Sequence, residues 1–172
     1  MAVALDTEPD NAFADVLAAN ADYVESFQLA GLETGAARGL AVLTCMDSRI
    51  EPLAMLGLRP GDAKILRNAG ARVTDDVLRT LVLARYLLGV GRVMVVAHTR
   101  CRMAGATERD VHEAVRAAGG PDSRSIRFLV ATEQEEALRT DVQRVRSWPY
   151  LTGTVAGGFR YDVDTGRVTQ LC

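Results

Sequence analysis

An excess of charge of one sign is missing from this sequence: 20 Lys and Arg stand against 22 Asp and Glu, a net of −2. That balance excludes a strongly basic nucleic-acid binder. Long apolar runs are missing too. One of the longest, Val93-Met94-Val95-Val96-Ala97, is strand-sized, whereas a membrane span needs about 20 residues. The first residues, Leu5-Asp6-Thr7-Glu8-Pro9-Asp10, are acidic and lack the basic-then-apolar layout of an export signal. A cytoplasmic protein with no membrane and no nucleic-acid partner is the expectation. There is no repeat, no low-complexity tract and no linker able to separate two domains, so 1–172 reads as one domain. Apolar residues at 48% and charged residues at 24% exclude a disordered chain.

Cysteine and histidine are scarce, at three and two. An odd number of cysteines in an unexported chain argues against a disulfide framework. Two reaction classes fail on spacing. A thiol-phosphatase loop needs Cys, five residues, then Arg, and the sixth residue after Cys45 is Glu51. No Gly-x-Gly-x-x-Gly follows the first strand, so a dinucleotide site has no cradle.

What is present alternates. Phe13, Val16, Leu17, Val24 and Phe27 fall near helical spacing, which predicts a helical arm at about 11–30 with Asp10 or Asn11 as cap. Strands are expected at Leu40–Thr44, Ala63–Leu66, Arg92–Ala97 and Leu151–Val155. A short helix is expected over Glu51–Leu56, and Arg67-Asn68-Ala69-Gly70 reads as a loop. Thr74 caps a helix that Gly89 stops; further helices are expected near Glu108–Ala118 and Thr132–Arg146. Phe159–Val163 and Arg167–Leu171 flank Asp164-Thr165-Gly166, a hairpin signal. The fold class is therefore α/β, a mainly parallel sheet flanked by helices with the hairpin on one edge. Such sheets bind ligands at the carboxyl ends of their strands, where strand order reverses. Cys45 ends the first strand and His98 the third, so the two meet if those strands are neighbours.

Two thiols and an imidazole are ligands that zinc prefers, and His98-x-x-Cys101 supplies two of them locally. Each of the three taken alone reads first as a core residue rather than a ligand, since cysteine ranks among the most buried types. All three at strand ends with polar neighbours point to a metal. Three protein ligands leave a fourth position open, as in catalytic sites; Cys172 or His112 would close it in a structural one. In Cys45-Met46-Asp47-Ser48-Arg49, Asp47 can approach the metal while Arg49 clamps it by paired hydrogen bonds; the bland alternative is a surface ion pair. His112 lies in a polar helix and is expected to be exposed, with a proton-relay role open to it.

Here the chain resembles the β-class carbonic anhydrases, through Cys45-x-Asp47-Ser48-Arg49, Arg67-Asn68-Ala69-Gly70 and His98-Thr99-Arg100-Cys101. The resemblance implies a sheet of order 2-1-3-4 with an added edge strand. It implies zinc, one per subunit, on Cys45, His98 and Cys101, with Asp47 a fourth ligand in a closed state. Asp47 and Arg49 would form the catalytic dyad, and Ser48, Ala69 and Gly70 would line the substrate pocket. The implied activity is reversible hydration of carbon dioxide to bicarbonate and a proton. The alternatives are hydrolysis of carbon disulfide or carbonyl sulfide on the same site, or a non-catalytic zinc protein. A homodimer or a multiple of dimers is implied, with the Phe13–Phe27 stripe either reaching over the partner or packing on its own subunit. Two residues depart from the pattern. Arg102 stands where a small residue, commonly glycine, follows the second cysteine, and Arg100 replaces a small or acidic one. A glycine lost from a position needing positive φ would distort the ligand loop; alternatively the two guanidiniums raise the local positive potential and draw in anions such as bicarbonate, or both simply face solvent.

Overall fold

β1 (Leu40–Cys45) is buried at all six positions, the signature of a central parallel strand covered on both faces. A computed structural model, describing residues 12–172, pairs it in parallel with β2 (Ala63–Asn68) on one side and β3 (Arg92–His98) on the other. β4 (Val155–Tyr161) continues the sheet in parallel beside β3, and β5 (Val168–Gln170) closes it antiparallel, giving the order 2-1-3-4-5. The strand order reverses between β1 and β3, so the carboxyl ends of those two strands open on one crevice.

Period-two alternation divides the core into two layers. Ala41, Leu43, Val93, Val95 and Ala97 face α3 (Asp75–Leu87) and α5 (Gln134–Arg146), which contribute Val77, Leu78, Leu81, Leu138, Val142 and Val145. Leu40, Val42 and Val96 face the other way, against Leu58 and residues of α2 (Pro52–Met55). α3 starts where Thr74 predicts: its hydroxyl accepts from the Val77 amide, with Asp75 and Asp76 at the positive end of the helix. α4 (Glu108–Ala117) starts with a reciprocal cap between Thr107 and Asp110.

By backbone contacts the chain divides into a unit ending at Leu32 and a body, Glu33–Cys172. In the first, α1 (Ala14–Glu25) buries none of its residues. The expected cap at Asp10 or Asn11 lies outside the described residues, and Phe13 occupies the cap position without a side-chain bond. Among the described residues no helix is long and apolar enough to cross a membrane.

Three expectations are corrected. Leu151–Val155 is not a strand. Pro149 opens a short 3-10 turn, Gly153 takes a φ of 81°, and β4 begins only at Val155. The fourth strand and the first arm of the hairpin are thus one strand. Arg67 and Asn68 belong to β2 rather than to a loop, because they pair in register with Thr44 and Cys45. The chain turns only at Ala69–Ala71, where Gly70 has φ 79°. His112 is half-buried rather than exposed.

Candidate metal centre

The register of β1 and β3 brings Cys45 and His98 to the carboxyl ends of adjacent central strands, and the turn after β3 returns Cys101 to them. Cys45 Sγ, Cys101 Sγ and a ring nitrogen of His98 lie within 4.8 Å of one another, all three residues buried. Ile50 completes the buried set, with Met55, Met103, Ala104 and Tyr161 packed against it.

His98 is 1% exposed. Its Nδ1 lies 2.9 Å from the Thr99 carbonyl oxygen, which only accepts, so Nδ1 carries the proton. Nε2 is then a bare lone pair, and it has no hydrogen-bond partner among the described residues. A buried acceptor left unpaired is costly, and the Thr99 carbonyl has fixed the tautomer that a metal requires. Two thiols and one such imidazole are a zinc donor set. The residues fit the ion.

Without metal the two thiols share protons unequally. The Cys45 thiol is pulled down, first by the hydrogen bond from Cys101 and further by the Gly70 amide. The Cys101 thiol is pushed up, first by its bond to Cys45 and then by burial. A bound dication reverses the second shift, because a coordinating thiol is deprotonated. The Gly70 N–H donates to Cys45 Sγ at 3.3 Å, which is how the turn after β2 reaches the site.

Asp47 sits beside the triad. Arg49 holds both its oxygens, with Nε donating to Oδ1 at 2.9 Å and Nη2 to Oδ2 at 2.8 Å; the Arg49 amide adds a third bond at 3.0 Å. These bonds hold the Asp47 carboxyl well below the usual carboxylate range. Asp47 Oδ2 is 3.9 Å from His98 Nε2. Arg67 fastens the backbone beneath, donating to the carbonyls of Cys45 at 3.1 Å and Asp47 at 2.7 Å.

The remaining candidates separate. Ser48 is exposed. Gly70 lines a small recess of about 20 Å³ behind Cys101, together with Ala97, Met103, Ala104 and Ala131; Ala69 is not among its lining residues. His112 donates to or accepts from Ser123 Oγ at 2.9 Å and lines a larger cavity, about 650 Å³, that contains none of the three donors. Arg102 is exposed and outside the left-handed region, so glycine's freedom is not needed there. The positive φ falls on Arg100 instead, at 53°. Sequence reasoning missed two partners. Arg72 pairs with Asp141 at 2.6 Å, far apart in sequence, and Arg100 pairs with Asp164 of the hairpin turn. The hairpin signal had located Asp164 but carried no sign of its charge partner.

The site's class follows from a triad of two thiols and a lone-pair imidazole at the carboxyl end of the sheet, beside a clamped Asp–Arg pair. A family model described as carbonic anhydrase matches residues 40–168. β-Carbonic anhydrase 1 of Mycobacterium tuberculosis (strain ATCC 25618 / H37Rv) is 34% identical over 162 residues, covering 91% of this chain and 96% of that protein. The crystal structure of a carbonic anhydrase from Streptococcus mutans aligns at TM-score 0.88 and 38% identity, over 93% of this chain and 97% of that one. Carbon disulfide hydrolase of Acidianus sp. (strain A1-3) is 46% identical over 74 residues, 43% of this chain and 36% of that protein. The chain belongs to the β-class carbonic anhydrase family.

Proposed function

We propose that this chain catalyses the reversible hydration of carbon dioxide to bicarbonate and a proton, with one zinc held by Cys45, His98 and Cys101. The observation that carries the reading is the unpartnered Nε2 of buried His98, facing two thiols beside a carboxylate that an arginine has locked. Zinc, when bound, supplies Lewis acidity that brings the pKa of water toward neutrality.

The side chains divide the remaining work. Asp47 accepts a hydrogen bond from the attacking water and so orients its lone pair toward the substrate carbon. Arg49 occupies both oxygens of Asp47, which keeps that carboxylate from taking the fourth position among the donors. Two thiolates offset the formal charge of the dication, so activity rises toward alkaline pH. Gly70 tempers the charge on Cys45 through its amide and keeps the recess behind Cys101 open.

The same donors would serve a hydrolase of carbon disulfide or carbonyl sulfide, and the local match to the Acidianus enzyme is the observation on that side. That match covers less than half of this chain; over longer spans the mycobacterial carbonic anhydrase is 34% identical over 91% of the chain, against 27% over 76% for the carbon disulfide hydrolase of Acidithiobacillus thiooxidans. Carbon dioxide therefore stands first. The proposal extends to a cytoplasmic enzyme that works as one domain, without nucleic-acid or membrane partners, and that assembles as a homodimer or a multiple of dimers. The apolar face of α1 supports the assembly: Phe13, Val16, Leu17 and Val24 are each more than half exposed, a stripe that a second copy would cover.

Stopped-flow hydration of carbon dioxide, run beside a carbon disulfide assay on zinc-assayed protein, tests the reading. Turnover of carbon dioxide at alkaline pH is expected. A zinc-loaded chain that turns over only carbon disulfide, or neither substrate, overturns it.

A further inference from the structure

Resting on that reading, the geometry points to a positioning role for Arg100 and Asp164: together they latch the β4–β5 hairpin onto the ligand turn and so hold the Asp47–Arg49 dyad in place. The turn His98-Thr99-Arg100-Cys101 carries two of the three donors. Each of its middle residues is tied to the hairpin. The Thr99 amide donates to the Tyr161 carbonyl at 2.9 Å, one step beyond the last β3–β4 pair, and Thr99 Oγ1 accepts from the Val163 amide at 3.0 Å. The Arg100 guanidinium then pairs with the Asp164 carboxylate.

The turn that presents Asp164 is itself fixed. Asp162 Oδ1 accepts from the amides of Asp164 at 2.8 Å and Thr165 at 3.0 Å, and the Gly166 amide donates to the Asp162 carbonyl at 2.8 Å. The backbone that carries Asp164 is therefore held in a closed turn.

What the latch holds is a backbone carbonyl. Arg100 has φ 53°, a left-handed conformation that strains a residue with a Cβ. Its carbonyl accepts from Arg49 Nη2 at 3.2 Å, the same nitrogen that donates to Asp47 Oδ2. Arg49 thus has two supports, Asp47 on one side and the strained turn on the other. The charge of Asp164 also helps to raise the Arg49 guanidinium, after the hydrogen bonds to Asp47. The Arg100 and Asp164 side chains are 63% and 57% exposed, so their pairing adds little to folding. Its effect is on where the Arg100 carbonyl sits.

The test uses the full zinc-loaded chain as wild type, Asp164→Ala, Arg100→Gly and the charge swap Arg100→Asp with Asp164→Arg. Hydrogen–deuterium exchange at the Thr99 and Val163 amides reads the latch directly. Exchange in both single variants is expected to quicken by about 2- to 5-fold. Their kcat for carbon dioxide should fall by about tenfold with KM within about twofold. Melting temperature and zinc content should hold, and the swap should restore most of both losses. Glycine suits the backbone at position 100 better than arginine does. A purely local role therefore predicts that Arg100→Gly matches or exceeds wild type, and that result overturns the proposal. So does unchanged exchange in Asp164→Ala, quickened exchange with unchanged kcat, or a swap no better than the single variants. If the wild-type chain holds zinc and does not hydrate carbon dioxide, the function reading falls, and amide exchange alone then decides whether the latch exists.

Discussion

Replacing Asp141 by alanine should destabilise the body of the protein and loosen its metal. Asp141 lies on α5 with a side chain 6% exposed, and it accepts from Arg72 Nε at 2.6 Å and Nη2 at 3.4 Å. Arg72 is 19% exposed on its side chain and keeps one other bond, to the Leu129 carbonyl at 2.6 Å. Removing the carboxylate leaves a largely buried cation without its counter-charge, which costs about 3–5 kcal/mol in such pairs. The surviving bond and the partial exposure place the loss at the lower end, about 3 kcal/mol. For a chain of this size that is a fall in melting temperature of roughly 6–12 °C. The effect should reach the metal site. The Asn68 side chain brackets Arg72, accepting from its amide at 2.8 Å and donating to its carbonyl at 2.7 Å. Gly70 sits inside that bracket with its amide on Cys45 Sγ. Urea unfolding measures the stability, and chelator competition measures the zinc off-rate. The apolar pair Arg72→Met with Asp141→Leu should recover much of the loss, since no charge is stranded. A loss under about 1 kcal/mol in Asp141→Ala, or a double variant as unstable as the single, would refute the reasoning.

Other outcomes follow from the same contacts. Asp47→Asn should keep its zinc and lose about 10- to 100-fold in kcat/KM for carbon dioxide by stopped flow, because the amide no longer only accepts; full activity would remove Asp47 from the mechanism. Cys45→Ser should purify with markedly less zinc by metal analysis, since a hard hydroxyl replaces a soft thiolate. On acidification, Asp122 holds its carboxyl down at about 2 through Arg124, against an ordinary 3.8, and Asp47 is likewise depressed through Arg49. Both carboxyls are lower in the folded chain, so what they add to stability is complete above about pH 4 and is lost as pH falls through the folded values. An NMR titration of Arg124→Ala should move Asp122 back toward 3.8. Leu17→Glu with Val24→Glu should lower the mass measured by light scattering toward that of a single chain, if α1 carries the proposed assembly contact.

Local chemistry made much of the molecule legible. β1 and β3 are built on the apolar runs Leu40–Leu43 and Val93–Ala97, and α3 carries its cap, its stripe and its stop in one stretch, so each was readable without tertiary information. Cys45 and His98 were each readable as strand-end residues, but their convergence hung on β1 and β3 being neighbours, which the sheet order supplies. What escaped depended on partners remote in sequence. Arg67 and Asn68 look like loop residues until their register with Thr44 and Cys45 is known. The start of β4 was misplaced because Leu151 and Val155 are apolar on both sides of a turn set by Pro149 and Gly153. Arg100 stood out by departing from a pattern, but its strain and its tie to Asp164 appear only when β3 and β4 lie side by side.

X-ray absorption at the zinc edge of the purified full-length chain addresses the central claim most directly. Two sulfurs and two lighter atoms around one zinc per chain, with a sulfur lost in Cys45→Ser and in Cys101→Ser, is the expected result. Protein that carries no zinc, or zinc whose two sulfurs persist in both variants, would contradict it.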